Sequence, residues 1–114
     1  MSVFTVDEKT NPTHTYTILD EDGNPVQPTA LTLTYYDRAT GVIINSRDGQ
    51  DVLNLNNVVI TNGVMDWSMQ VLDTAVLDTT LVAEIHVALW QWVANSKNNK
   101  HETIIRVVNL EKVT

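Results

Sequence analysis

Val58-Val-Ile-Thr-Asn62-Gly63-Val64-Met-Asp-Trp67 decides the fold class. Two short runs rich in β-branched residues flank Asn-Gly, the dipeptide that most readily adopts the paired positive φ angles of a type I′ turn. In the second run Met65, Trp67 and Met69 alternate with Asp66, Ser68 and Gln70. That period of two gives one apolar and one polar face. The stretch therefore reads as a β-hairpin with Trp67 on its core side.

The same grammar extends in both directions. Toward the N-terminus, residues 30–37 set Leu31, Leu33 and Tyr35 against Thr32, Thr34 and Tyr36, and residues 13–19 alternate around Tyr16 and Ile18. Residues 42–46 and 52–55 are further short apolar segments. Gly, Asn, Asp and Pro punctuate the intervals, above all in Asp20-Glu-Asp-Gly-Asn-Pro25. Toward the C-terminus, residues 71–80 carry the one helix-like spacing, too short for more than a turn or two. Residues 81–93 and 101–110 then form a long hairpin around an Asn- and Lys-rich turn. Seven to eight strands with turns at this spacing predict an all-β, immunoglobulin-like antiparallel β-sandwich. Residues 13–114 form the domain, and residues 1–12 read as an N-terminal arm or a marginal edge strand.

Composition narrows the function. With 114 residues and 43% hydrophobic content, the chain has enough material for one ordinary core. Cysteine is absent, so no disulfide or thiolate metal site staples the fold. Fourteen carboxylates face seven Lys and Arg, a net charge of −7 that opposes binding to nucleic acid or an anionic membrane. The first residues lack a basic and then apolar leader, which leads us to expect no signal peptide and synthesis in a cytoplasm.

Tyr16-Thr-Ile-Leu-Asp-Glu-Asp-Gly-Asn-Pro-Val26, then Leu31-Thr-Leu-Thr-Tyr-Tyr-Asp-Arg-Ala-Thr-Gly-Val42, then Asn62-Gly-Val-Met-Asp-Trp67 and a final long hairpin follow a particular order. That order resembles the immunoglobulin-like domains of tailed-bacteriophage virion proteins, among them capsid decoration proteins and the N-terminal domains of upper baseplate proteins. The chain departs from the pattern at Asp78-Thr-Thr80, where Pro-Gly is common. It departs again at Asn98-Asn99, where Asp-Gly often makes the last turn. The resemblance implies a non-enzymatic structural part of a virion, a capsid decoration (cement) protein first. A tail, neck or baseplate component is the alternative. Its partners would be the major capsid protein or other virion proteins, with self-association left open.

The chemical motifs are sparse. Asp20, Asp22 and Asn24 invite a calcium loop, but Gly23 is misplaced and the distal bidentate Glu is missing, so a solvated turn is the expectation. His14, His86 and His101 lie on separate segments. His86 shares a strand face with Glu84, and one cross-strand partner would complete a metal site, although nothing in the spacing selects one. Ser68 with His86 lacks a nucleophile elbow and an oxyanion loop. Neither catalysis nor a metal or cofactor is therefore expected.

The expected contact surface comes from strand faces. With Leu81, Ala83, Ile85, Val87 and Leu89 taken as the core side of the penultimate strand, Trp90 and Trp92 point outward. There they would serve a protein partner, be covered by the chain's own arm or loops, or stack on a carbohydrate. On the last strand Ile105 and Val107 face inward, leaving Ile104 and Val108 outward beside Arg106. Phe4, on the arm, joins this expected interface.

Overall fold

The computed structural model describes residues 3–111, so Met1, Ser2 and the last three residues of the expected 13–114 domain lie outside it. Eight strands follow in chain order: β1 (Val3–Asp7), β2 (Thr13–Thr17), β3 (Ala30–Asp37), β4 (Gln50–Asp51), β5 (Val58–Thr61), β6 (Val64–Ser68), β7 (Ala83–Ala94) and β8 (Lys97–Val108). They form a five-stranded sheet in the order β1-β8-β7-β3-β4 and a three-stranded sheet in the order β2-β6-β5. A single 3₁₀ turn, Val71–Thr74, links β6 to the loop before β7. The chain is an all-β, two-sheet sandwich. No helix among the described residues is long and apolar enough to cross a membrane.

The deciding hairpin is present as read. β5 and β6 pair antiparallel through Asn62 (φ 50°) and Gly63 (φ 83°). Gly63 has a second duty. A Cβ there would sit 2.7 Å from the backbone nitrogen of Val26, so this turn lies against the segment leaving β2 with no room for a side chain. Met65, Trp67 and Met69 are all buried, facing Leu31, Leu33 and Tyr35 of the opposite sheet across the core. Tyr35, Trp67 and Trp90 meet edge to face, with ring centroids 5.2 and 5.3 Å apart. Such T-shaped pairs add to the burial of large apolar surface.

Two segments read as strands are not strands. Asn45 and Ser46 take φ of 54° and 56°, and Asn54, Asn56 and Asn57 take φ of 54–72°. Left-handed residues break a ladder, so residues 42–46 contribute one bridge (Tyr36 to Ile43) and residues 52–55 contribute none. The paired residues between them are Gln50 and Asp51, opposite Leu33 and Thr32. The last hairpin turns at Asn95 and Ser96, both with positive φ, whereas Asn98 and Asn99 are paired within β8.

Of the two readings of the N-terminal segment, the edge strand is the one found. Val3–Asp7 is an edge strand lying parallel to β8, from Val3 opposite Ile104 to Asp7 opposite Val108. The sandwich is thus antiparallel except at this edge. Glu8 N–H donates to the Val108 carbonyl and Lys9 N–H to that of Thr74, after which the chain crosses to the other sheet as β2. Val6 is buried in the common core. Pairing with β8 and burial of Val6 hold this segment within the domain.

Candidate functional site

Side-chain direction in the five-stranded sheet follows from its register. Leu33 lies opposite Trp90, and Trp90 opposite His101. Trp90, Trp92, Ala88, His86 and Glu84 therefore share the inner face of β7. The outer face carries Ala83, Ile85, Val87, Leu89, Gln91 and Val93. This reverses the expected orientation of β7. Trp90 is 1% exposed and Trp92 7%, so neither offers a platform to a partner or a sugar. Phe4 also turns inward, against the core and the ring of His14 at 5.0 Å. On β8 the expectation holds. Ile105 and Val107 are core, and Ile104 and Val108 lie on the outer face with Arg106.

The outer face of this sheet has an apolar centre. One cross-strand row runs Val3, Ile104, Val87, Tyr36, and the flanking rows place Ile85 beside Arg106 and Leu89 between Thr34 and Glu102. Val3 is 57% exposed, while Ile85, Leu89 and Val108 are half-buried by their neighbours. The surface continues past the end of the hairpin. Asn109 donates its backbone N–H to the Val82 carbonyl (2.8 Å) and its side-chain amide to the Leu81 carbonyl (3.1 Å), which holds the exposed Leu81, Val82 and Leu110 side by side. An antiparallel sheet with one face in water should read polar on that face. Here Val87 and Ile104, at the centre of the row, are already buried by their neighbours, so the exposed apolar area lies at Val3 and at the Leu81, Val82 and Leu110 end.

A second feature lies inside. Arg47, 1% exposed, donates from Nε to Asp73 Oδ1 (2.6 Å) and from its terminal amine to Oδ2 (3.0 Å), a bidentate buried ion pair. Asn45 and the backbone N–H of Gln70 also donate to Asp73, and Arg47 reaches Gln50, the Asn56 carbonyl and the face of Trp67. Tyr35 Oη donates to the Asp73 carbonyl (2.7 Å) and lies 3.1 Å from His86 Nδ1, while His86 Nε2 lies 2.9 Å from Glu84 Oε1. Burial first, then the nearby Asp73 charge, pushes the Tyr35 hydroxyl well above its ordinary pKa, so it remains a donor. The chain of contacts ties β3, β7, the 3₁₀ turn and the left-handed loop into one unit. Sequence reading missed the Arg47–Asp73 pair, because residues 26 apart in irregular segments leave no periodic signal.

The remaining motifs fall as follows. Asp20 Oδ1 accepts the N–H groups of Asp22 and Asn24, both at 2.9 Å, so that loop satisfies itself as a turn. Ser68 is exposed on the three-stranded sheet while His86 is fully buried, and the two do not meet. His14 and His101 come near each other where β2 crosses β8, and His101 stacks on Tyr16 at 4.2 Å. Burial lowers the pKa of both, and the charge of His101 adds to the effect at His14. No family model matches the sequence, and no curated protein matches it significantly.

Proposed function

We propose that this chain is a non-enzymatic structural protein of a bacteriophage virion, a capsid decoration protein that bridges capsid subunits. The observation that carries the reading is the apolar outer face of the five-stranded sheet, continued by Leu81, Val82 and Leu110. A face of this kind loses free energy in water and gains it against a complementary surface. The order of motifs from Asp20–Val26 to the final hairpin resembles tailed-phage virion domains, which supports a virion partner, the major capsid protein in this reading. The mechanism is linkage. A copy seated across a seam binds only the assembled shell, so shell stability rises with occupancy by mass action. The stiff sandwich suits this role, since its two sheets share one aromatic core and its first strand is sewn onto its last.

Immunogold labelling of purified particles tests the assignment. Decoration gives gold distributed over the capsid. Gold confined to one vertex or to the tail moves the protein to the neck, tail or baseplate. Particles that carry no label despite expression of the chain reject a virion role.

A further inference from the structure

Three buried groups at one end of the core are not explained by contact with a partner. Asp37 of β3 lies directly opposite His86 of β7, and Glu84 precedes His86 by two residues on the same face. One ligand atom from each lies within 4.8 Å of the others, and the residues are 6%, 0% and 4% exposed. This is the cross-strand partner for Glu84 and His86 that spacing alone does not select. We infer that Asp37, Glu84 and His86 form a binding site for one divalent transition-metal ion of the zinc class, between β3, β7 and the loop that precedes β7.

The first argument is charge. Two carboxylates are buried together, and among the described residues His86 is the only basic group within ion-pair distance of either. Arg47, the other buried cation, is committed to both oxygens of Asp73. Two carboxylates this close repel each other, and a cation that both can ligate relieves that repulsion. One oxygen of Asp37 accepts from Thr40 Oγ1 (2.7 Å), while the other accepts from no donor among the described residues and reaches solvent, open to a ligand. A divalent ion brings the cluster to neutrality.

The second argument follows the protons. Tyr35 Oη has one hydrogen and gives it to the Asp73 carbonyl, which can only accept. His86 Nδ1, 3.1 Å away, must therefore donate to Tyr35. That fixes the tautomer and turns the other ring nitrogen, Nε2, toward Glu84 Oε1 at 2.9 Å. That contact has hydrogen-bond length, and a metal ion would instead take one lone pair each from His86, Glu84 and Asp37, whose ligand atoms all lie within 4.8 Å of one another. A proton serves that pair but leaves Asp37 out, whereas a metal ion serves all three. The supporting contacts are those that orient metal ligands elsewhere: the free ring N–H is held by Tyr35, and the backbone N–H groups of Leu77 and Asp78 fix the Glu84 carboxylate.

One nitrogen and two carboxylate ligands match zinc chemistry. Calcium takes about six to eight oxygens, more than this site offers. Asp37 opens onto the exposed turn of residues 38–42, which gives an ion its route in. The site would clamp β3 to β7 and to the 77–78 loop.

The test uses the full chain dialysed against a chelator, then titrated with zinc sulfate. Native mass spectrometry should detect one zinc per chain, and the melting temperature should rise by several degrees. Asp37→Asn and His86→Gln should each lose both responses. A double variant, His14→Gln with His101→Gln, should keep them, which separates this site from the surface histidine pair. If the wild-type chain takes up no zinc at tenfold excess, the inference is overturned and a proton sits between His86 and Glu84. Equal uptake by Asp37→Asn overturns it too. Should the His86 variant fail to fold, the wild-type and Asp37→Asn titrations decide alone.

Discussion

Asp73→Ala should destabilise the protein by about 3–5 kcal/mol, the range for breaking one side of a buried ion pair. With its carboxylate removed, Arg47 keeps a full charge at 1% exposure, and only Gln50 and the Asn56 carbonyl remain to accept from it. The Gln70 N–H loses its acceptor at the same time, and Asn45 keeps only Gln70 Oε1 of its two. A typical domain is stable by only about 5–15 kcal/mol, so this one change removes a large share. Urea denaturation followed by tryptophan fluorescence gives the value. The double variant Arg47→Met with Asp73→Leu should be less destabilised than Asp73→Ala, because most of the loss comes from the orphaned charge rather than from the missing attraction. A loss under about 1 kcal/mol for Asp73→Ala would place the pair in solvent and contradict the structure.

The second large effect belongs to Trp90. Trp90→Ala should cost about 3–5 kcal/mol, as large-to-small changes in packed cores do. The indole packs edge to face on Trp67 at 5.3 Å, donates to Thr103 Oγ1 at 3.3 Å and is 1% exposed. Leu89→Ala, one residue earlier on the outer face, should cost only about 1 kcal/mol. The comparison reads the orientation of β7 directly by denaturant melts. If Leu89 proved the costly position and Trp90 the cheap one, the strand would face the other way.

That orientation is where sequence reading failed, for a physical reason. Residues 81–89 show a clean aliphatic alternation, while the alternate residues include Glu84 and His86. Polar side chains argue for water when their partners are unknown. Here the partners are Tyr35, Asp37 and the backbone of Leu77 and Asp78, which the fold alone brings together. Where alternation met no buried polar group, as in β5 and β6, strand limits and faces were legible, as they were in β3, whose one buried carboxylate, Asp37, is its last residue, and Asn62-Gly63 located the hairpin. Residues 42–46 and 52–55 failed for the opposite reason. Their apolar residues resemble strands, but Asn45, Asn54, Asn56 and Asn57 are left-handed, and the density of asparagine in that interval was the signal available. The outward face of Ile104 and Val108 was legible, since Arg106 fixed the outer face of β8. Phe4, Trp90 and Trp92 were misplaced with the faces of their strands.

The claim that the outer sheet face and the adjoining Leu81, Val82 and Leu110 end seat this protein on a capsid has a direct measurement. Val3, Val82 and Leu110 are 57%, 53% and 49% exposed, so changing all three to Glu should leave the melting temperature close to wild type. Binding of fluorescently labelled chain to particles stripped of it is then compared by co-sedimentation. The account expects the triple variant to bind more weakly by about 2 kcal/mol or more, roughly thirtyfold, as loss of an interface hot spot does. A folded triple variant that binds stripped particles with wild-type affinity would contradict it.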